Sequence, residues 1–343
     1  MSQDTGSVVE RSSDSSSAPD VGLRWGIIGT GDISARVLTD LRQVPGCRAT
    51  AVWGRTVGRA ARFAEDNDIP FSGDDRAELL RRSDVDIVYI ATPAETHHDI
   101  AIAALEAGKH VLVEKPMGAS AAEVESIFAK AAEVGRFVME AMWMRFNPLH
   151  VDVMQRIEDG IIGRPQSVRA SFGTPFLAGG RRAKPSDAGS FLLDRGIYAA
   201  TLAHWFLGEP ESVTAGGTIV DGVDVSGHAT LGYGGGRFAS IAWSGVGFLD
   251  LSASVSGETG WITLDPMFWA GSSAQIRAGS YERIFVEPEL VIHPRQGNGY
   301  GPMLEAVRDA VNEMRLEHPW HGRSETAAVA RTLDAIGDAI RAV

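Results

Sequence analysis

A single cysteine, Cys47, occurs in 343 residues. One thiol closes no internal disulfide and offers neither zinc-finger spacing nor a CxxC pair, so the expected setting is a reducing one, the cytoplasm, with a fold that rests on its core. No run approaches about 18 uninterrupted apolar residues, which removes a helical membrane span. The first twenty residues lack the apolar stretch of a signal peptide. They hold seven serines and four acidic groups and read as a disordered extension. Positive charge is in short supply: 32 Lys and Arg stand against 44 Asp and Glu, a net charge of -12, with no basic run, which argues against a nucleic-acid partner. No His, Asp or Glu spacing suggests a metal site. Only four residues are lysines, so each one near a ligand-binding edge carries weight.

What is present is a globular composition, 44% hydrophobic and 22% charged, long enough for roughly two domains. From residue 23 short apolar runs alternate with helical segments, the pattern of βαβ units on a parallel sheet. Residues 23–28 (LRWGII) read as a buried strand, Gly29-Thr30-Gly31-Asp32-Ile33 as a turn, 34–44 as the opening helix, and 48–53 as the next strand. Gly29 permits a tight turn and Gly31 lets the backbone approach a pyrophosphate seated on the helix N-terminus. Ser34 stands where the dinucleotide fingerprint has Gly or Ala, so the match is partial.

The second strand ends in Gly54-Arg55-Thr56 rather than in the Asp or Glu that accepts from a ribose 2'-hydroxyl. The Arg55 guanidinium, the Thr56 hydroxyl and Arg59 one turn on suit a 2'-phosphate, so NADP(H) is favoured and NAD(H) remains possible. Residues 85–91 form an apolar run that closes on Ala91-Thr92-Pro93, and 110–113 form another that closes on Glu114-Lys115-Pro116, about 85 residues beyond the glycine turn. Both dipeptides with proline fall at the C-terminal edge of a parallel sheet, where open α/β sheets bind ligands. His97, at a helix start between them, is a candidate cofactor contact.

At these residues the chain resembles the glucose-fructose oxidoreductase / inositol dehydrogenase (Gfo/Idh/MocA) family. The likeness is carried by GTGDIS, ATPAETHHDIAIAALEAGKHVLVEKPMG and FLLDRGIYAATLAHWFLG, and runs from residue 23 to the C-terminus. MEAMWMRFNP at 139–148, the tyrosine of DRGIY and VSGETGWITLD resemble the branch of dimeric dihydrodiol dehydrogenases and NADP-dependent aldose (D-xylose type) dehydrogenases. The resemblance implies a Rossmann domain with a parallel sheet over 21–140, and over 141–343 an α+β domain with a large, mostly antiparallel open sheet. The alternating stretches 166–172, 237–243, 249–256 and 260–264 agree with such a sheet. Helical segments at 303–317 and from 324 onward are expected to flank it, and its uncovered face to mediate a homodimer or homotetramer.

The resemblance also implies that Asp194 and Tyr198, four residues apart and so on one helical face, point at the substrate beside the nicotinamide. Loss of a hydroxyl proton must accompany hydride transfer. Lys115 and Tyr198 are the two groups to manage it, with the Lys115 charge lowering the phenol's pKa and Asp194 orienting. Trp143 and Arg145, after the apolar segment 137–142, are placed near the nicotinamide, Glu114 near Lys115 or the ribose, and Tyr300 over the substrate. Arg181, Arg182 and Lys184 form a basic loop before DRGIY. The expected activity is an NADP-dependent oxidoreductase acting on a carbinol of an aldose, polyol or cyclic diol. An NAD-dependent cyclitol or amino-sugar dehydrogenase is the alternative within the fold, and a non-catalytic dinucleotide-binding regulator the alternative outside catalysis.

Overall fold

A computed structural model describes residues 22–175 and 189–342. The N-terminal extension and the basic loop of Arg181, Arg182 and Lys184 lie outside the described residues.

Six strands, β1 (Leu23–Ile28), β2 (Cys47–Trp53), β3 (Phe71–Gly73), β4 (Ile87–Ile90), β5 (His110–Val113) and β6 (Val138–Glu140), form a parallel sheet in the order β3-β2-β1-β4-β5-β6. The strands read as unbroken apolar runs because both faces are covered. Trp25, Ile27, Ile87 and Tyr89 pack on one side with Leu38 and Leu41 of helix α1 (Asp32–Leu41). Ile28, Val88 and Ile90 pack on the other with Ile100 and Ala101 of a helix (His97–Glu106) and with Ile127 of a longer one (Ala121–Val134). Each fully buried aliphatic side chain contributes about 1.5–3 kcal/mol. The three-residue strand β3 has no apolar run to announce it, being half exposed at the sheet edge, and sequence periodicity does not find it.

Among the described residues, the helices after α1 are, in chain order, α2 (Val57–Asp66), α3 (Arg76–Arg81), α4 (His97–Glu106), α5 (Ala121–Val134), α6 (Pro148–Glu158), α7 (Ile197–Leu207), α8 (Tyr281–Phe285), α9 (Gly301–Asn312) and α10 (Arg323–Arg341). Helix α6 shows why local sequence starts a helix where it does. Asn147 caps it by accepting from the Leu149 amide at 2.9 Å, Pro148 occupies the first turn, and the Asn147 amide donates to Gly271 O at 3.0 Å, tying the start to a distant loop.

The second sheet has eight strands: β7 (Pro165–Gly173), β8 (Ser212–Val220), β9 (Val223–Tyr233), β10 (Arg237–Ser244), β11 (Ala253–Gly257), β12 (Gly260–Leu264), β13 (Ser273–Ala278) and β14 (Glu289–Ile292). They lie in the order β14-β13-β12-β11-β7-β10-β9-β8, antiparallel except for the parallel pair β7 and β10. Alternation sets the buried face: Ala239, Ile241 and Trp243 of β10 join Val153 of α6, Leu202 of α7 and Leu333 of α10, while Ser240 points away, exposed.

The helix expected at 303–317 does not flank this second sheet. Helix α9 buries Met303, Leu304, Val307 and Ala310 against Trp25 and Leu38, and so covers the parallel sheet. Its apolar stripe suits either sheet, and only the path of the preceding loop decides. No helix among the described residues is long and apolar enough to cross a membrane.

Candidate active site

The strand order reverses between β1 and β4, which opens a crevice at their C-terminal ends. Gly29 lies there at φ +121°, and a Cβ on it would come within 2.3 Å of Ala91 O, so this position needs glycine on both counts. A Cβ on Gly31, the residue capping α1, would meet nothing within 4 Å. The backbone there is bare toward open space, as a pyrophosphate on the α1 amides requires. Gly29, Thr30, Gly31, Arg55, Arg59, Ala91, Thr92 and Pro93 line one cleft of about 460 Å³. Arg76, at the start of α3, lines it too and was not foreseen, because its nearness depends on the path through β3. Thr56 caps α2 and Asp32 and Ile33 begin α1 at the same edge.

His97 ties the two proline-bearing strand ends together. Its Nδ1 lies 2.8 Å from Pro116 O and its Nε2 2.8 Å from Thr92 O, with the side chain 1% exposed. Burial lowers the His97 pKa, and the neutral ring carries one N–H to donate to one of the two carbonyls while its other nitrogen faces the second; His97 thus sits as a clasp between Thr92-Pro93 and Lys115-Pro116, where a cofactor contact was expected. The Lys115-Pro116 peptide bond is cis.

Lys115 crosses to the second sheet's side of the crevice. Its ammonium donates to Asp194 Oδ1 at 2.6 Å and to Asp194 O at 2.8 Å, and lies 5.2 Å from the centre of the Tyr198 ring. Asp194 belongs to a single π-helical turn (Leu192–Gly196) that leads into α7, which carries Tyr198. Such turns are frequent at functional sites. Arg195 fixes this turn: it is buried, donates to Thr174 O and Ser244 O at the ends of β7 and β10, and packs on Phe191 and Phe172.

Burial is the largest single influence on the Lys115 ammonium and pulls it downward, but the Asp194 charge and hydrogen bond, together with Tyr198 and Glu114, hold the pKa above the ordinary lysine value. Asp194 is correspondingly held below the usual carboxylate range: burial works to raise it, and the Lys115 charge and hydrogen bond win. For Tyr198 the balance falls the other way from expectation. The Lys115 charge does lower the phenol, yet burial raises it by more, so Tyr198 is a neutral phenol in this state.

Around the phenol stands an aromatic wall. Trp143 Nε1 donates to the Tyr198 hydroxyl at 3.2 Å, and the Trp143 ring lies 4.9 Å from that of Tyr300. Phe172 stacks on Trp269, and their ring centres lie 5.9 Å and 6.2 Å from that of Tyr198. Phe172 and Trp269 carry no motif: Phe172 is read in sequence only as the end of a strand and Trp269 is not singled out at all, and long-range packing brings Phe172 together with the 3-10 turn Phe268–Ala270. Tyr300 is placed by Asp40 of α1, whose carboxylate accepts from the Tyr300 and Asn298 amides at 2.8 Å and 2.9 Å. Glu114 is buried, accepts from the Tyr89 hydroxyl at 2.5 Å and from the Lys115 amide at 3.2 Å, and is raised above the usual carboxylate range by burial.

Arg145 sits two residues beyond Trp143 in the 3-10 turn Trp143–Phe146, and its guanidinium lies 4.8 Å over the Trp205 ring, lining a cleft that shares no residue with the one around Gly29.

Residues 23–142 match the oxidoreductase family GFO_IDH_MocA, an NAD-binding Rossmann fold, and residues 150–263 match the GFO/IDH/MocA C-terminal domain. The chain is 34% identical over 325 residues to the bovine (Bos taurus) trans-1,2-dihydrobenzene-1,2-diol dehydrogenase, covering 93% of this chain and 97% of that one. Among solved structures it is similar to a 3-ketoreductase from Actinomadura kijaniata in complex with NADP and TDP-benzene, with TM-score 0.81 and 28% identity over 93% of this chain and 98% of that one. It shares the fold of the aldose-aldose oxidoreductase from Caulobacter crescentus, with TM-score 0.82 and 24% identity over 94% and 98% of the two chains.

Proposed function

This chain belongs to the GFO/IDH/MocA oxidoreductase family, and we propose that it is an NADP-dependent oxidoreductase that interconverts a carbinol and a carbonyl on an aldose, polyol or cyclic diol. The observation that carries this reading is the meeting of the Lys115 ammonium, the Asp194 carboxylate and the neutral Tyr198 phenol at the sheet edge that also carries the glycine turn. The dihydrodiol and sugar-like ligands in the relatives' names support the substrate class.

The open backbone at Gly31 and the arginines of the same cleft fit a phosphorylated dinucleotide. When bound, its nicotinamide supplies or accepts the hydride. The Lys115 ammonium faces the oxygen on which negative charge develops and lowers the barrier by electrostatic stabilisation. In reduction, Tyr198 donates its phenolic proton to that oxygen; in oxidation the same phenolate takes the proton back. Asp194 holds Lys115 charged and in place, and the half-exposed carboxylate is positioned to accept from a second substrate hydroxyl. Trp143, Phe172 and Trp269 present apolar faces against which a sugar or diol ring packs.

We place the boundary between the dinucleotide-binding and substrate domains at residues 140 and 141, with helix α9 returning to the first. The polar outer face of the eight-stranded sheet, with Arg169, Ser240 and His228 exposed or half exposed, is the surface proposed for a homodimer or homotetramer. A stable monomer in sedimentation at micromolar concentration removes that part.

A panel of aldoses, polyols and diols assayed for NADP reduction tests the activity. With the best substrate, Lys115→Ala and Tyr198→Phe are expected to lower turnover by about 100-fold or more while leaving NADPH affinity unchanged. Near-normal turnover in both variants overturns the mechanism.

A further inference from the structure

A second cleft, of about 350 Å³, opens between α6, α7 and the loop that precedes α10, and is lined by Arg145, Met154, Gln155, Glu158, Trp205, Trp320 and Glu325 among others. Arg145 is its most unusual wall. The residue is only 7% exposed, its Nε is buried without a partner, and among the described residues its guanidinium has no hydrogen-bond acceptor and no carboxylate within ion-pair distance. A guanidinium is the side chain least able to relieve such a position by losing its proton, and a buried cation without a counter-charge is strongly disfavoured.

The Arg145 guanidinium packs on one face of the Trp205 ring at 4.8 Å, and His150 stacks on the same indole at 6.1 Å and 7°. The indole contact holds the fork in place. Trp320, 52% exposed, lines the same cleft beside Pro319, so a large apolar ring faces solvent in the cleft that holds the buried cation. The rim also carries the carboxylates of Glu158 and Glu325. Burial brings Arg145 down to about 10, and Glu325 and Glu140 only partly offset it from a distance.

We propose that this cleft is a binding site for a small aromatic carboxylate, distinct from the proposed catalytic crevice and independent of the reading given to it. The carboxylate takes the two Nη groups of Arg145 in the bidentate geometry that guanidinium offers, and the ring lies against Trp320 and the edge of Trp205. The two rim carboxylates set the charge class. A monoanion neutralises Arg145 and passes them at small cost, whereas a phosphate dianion meets like charge at both.

The test uses the full-length chain with benzoate, acetate and inorganic phosphate as probes, read by calorimetry and by tryptophan fluorescence. Benzoate is expected to bind saturably and at least about tenfold more tightly than phosphate or acetate. Arg145→Met and Trp320→Ala are each expected to weaken benzoate about tenfold or more, and Trp320→Ala to leave NADPH affinity as it was. Trp320 is on the surface, so its replacement decides the matter even where loss of Arg145 compromises folding. Absence of saturable benzoate binding, phosphate binding as tight as benzoate, or benzoate affinity unchanged in Trp320→Ala each overturns the proposal.

Discussion

Lys115 and Asp194, 79 residues apart in the chain and on opposite sides of the crevice, are joined twice, Nζ to Oδ1 at 2.6 Å and Nζ to the backbone carbonyl at 2.8 Å. The pair decides the charge state of the site. Without Asp194 the largest influence left on Lys115 is burial, which lowers its pKa. Asp194→Asn is therefore expected to move the alkaline limb of the kcat profile to lower pH, because the ammonium is lost earlier as pH rises, and to lower kcat by about 10- to 100-fold, the worth of one charge-assisted hydrogen bond. A pH profile and turnover unchanged in the variant would show that Lys115 is held by something else.

Arg55, Arg59 and Arg76 line the same cleft as Gly29 and Gly31, and the proposed preference for NADP(H) assigns cofactor choice to them. If they receive the 2'-phosphate, Arg55→Ala weakens NADPH by about 10- to 100-fold and NADH by far less, since only the phosphate contact is removed. Fluorescence titration of the variant with both nucleotides reads the difference directly. Equal losses for the two would place Arg55 against the shared part of the dinucleotide.

Much of the crevice was legible because its parts are local. The glycine turn, the strand ends at Thr92-Pro93 and Lys115-Pro116, and the pair Asp194 and Tyr198 are each fixed within a few residues of sequence, and the fold only had to bring them to one edge. What was not legible depends on long-range paths. Arg76 reaches the cleft by way of the edge strand β3, Phe172 and Trp269 meet from a strand and a loop nearly 100 positions apart, and α9 crosses back to the first sheet although its apolar stripe does not say which sheet it covers. The Tyr198 phenol was misjudged because sequence shows neighbours in charge, but the degree of burial, which dominates it, belongs to the folded chain.

Burial also predicts how the protein responds to alkali. Four of the five tyrosines, Tyr89, Tyr198, Tyr233 and Tyr300, have phenols raised by burial above the ordinary value. A raised pKa in the folded state means that the folded form holds the proton where the unfolded chain has released it. The stability these phenols contribute is thus complete below about pH 10, the unfolded value, and is lost as pH rises toward their folded values. Phenolate absorbance is expected to rise together with loss of circular dichroism, in one cooperative step. Ionisation of these four groups with the fold intact would contradict it.

The His97 clasp makes the last prediction. Both of its ring nitrogens lie 2.8 Å from backbone carbonyls, on Pro116 and Thr92, in a position closed to solvent. Leucine fills a similar volume and supplies no donor, so His97→Leu leaves buried carbonyl oxygen without a partner. One such orphaned group costs about 1–3 kcal/mol, and the loss falls on the two strand ends that carry Ala91-Thr92-Pro93 and Lys115-Pro116. The variant is expected to lose about that much stability in urea unfolding and to bind NADPH more weakly, because both strand ends border the crevice. His97→Gln, which restores a donor with similar reach, is expected to recover part of both losses. A variant with leucine that unfolds at the same urea concentration as the parent and binds NADPH equally well would show that the two strand ends hold their places without the imidazole.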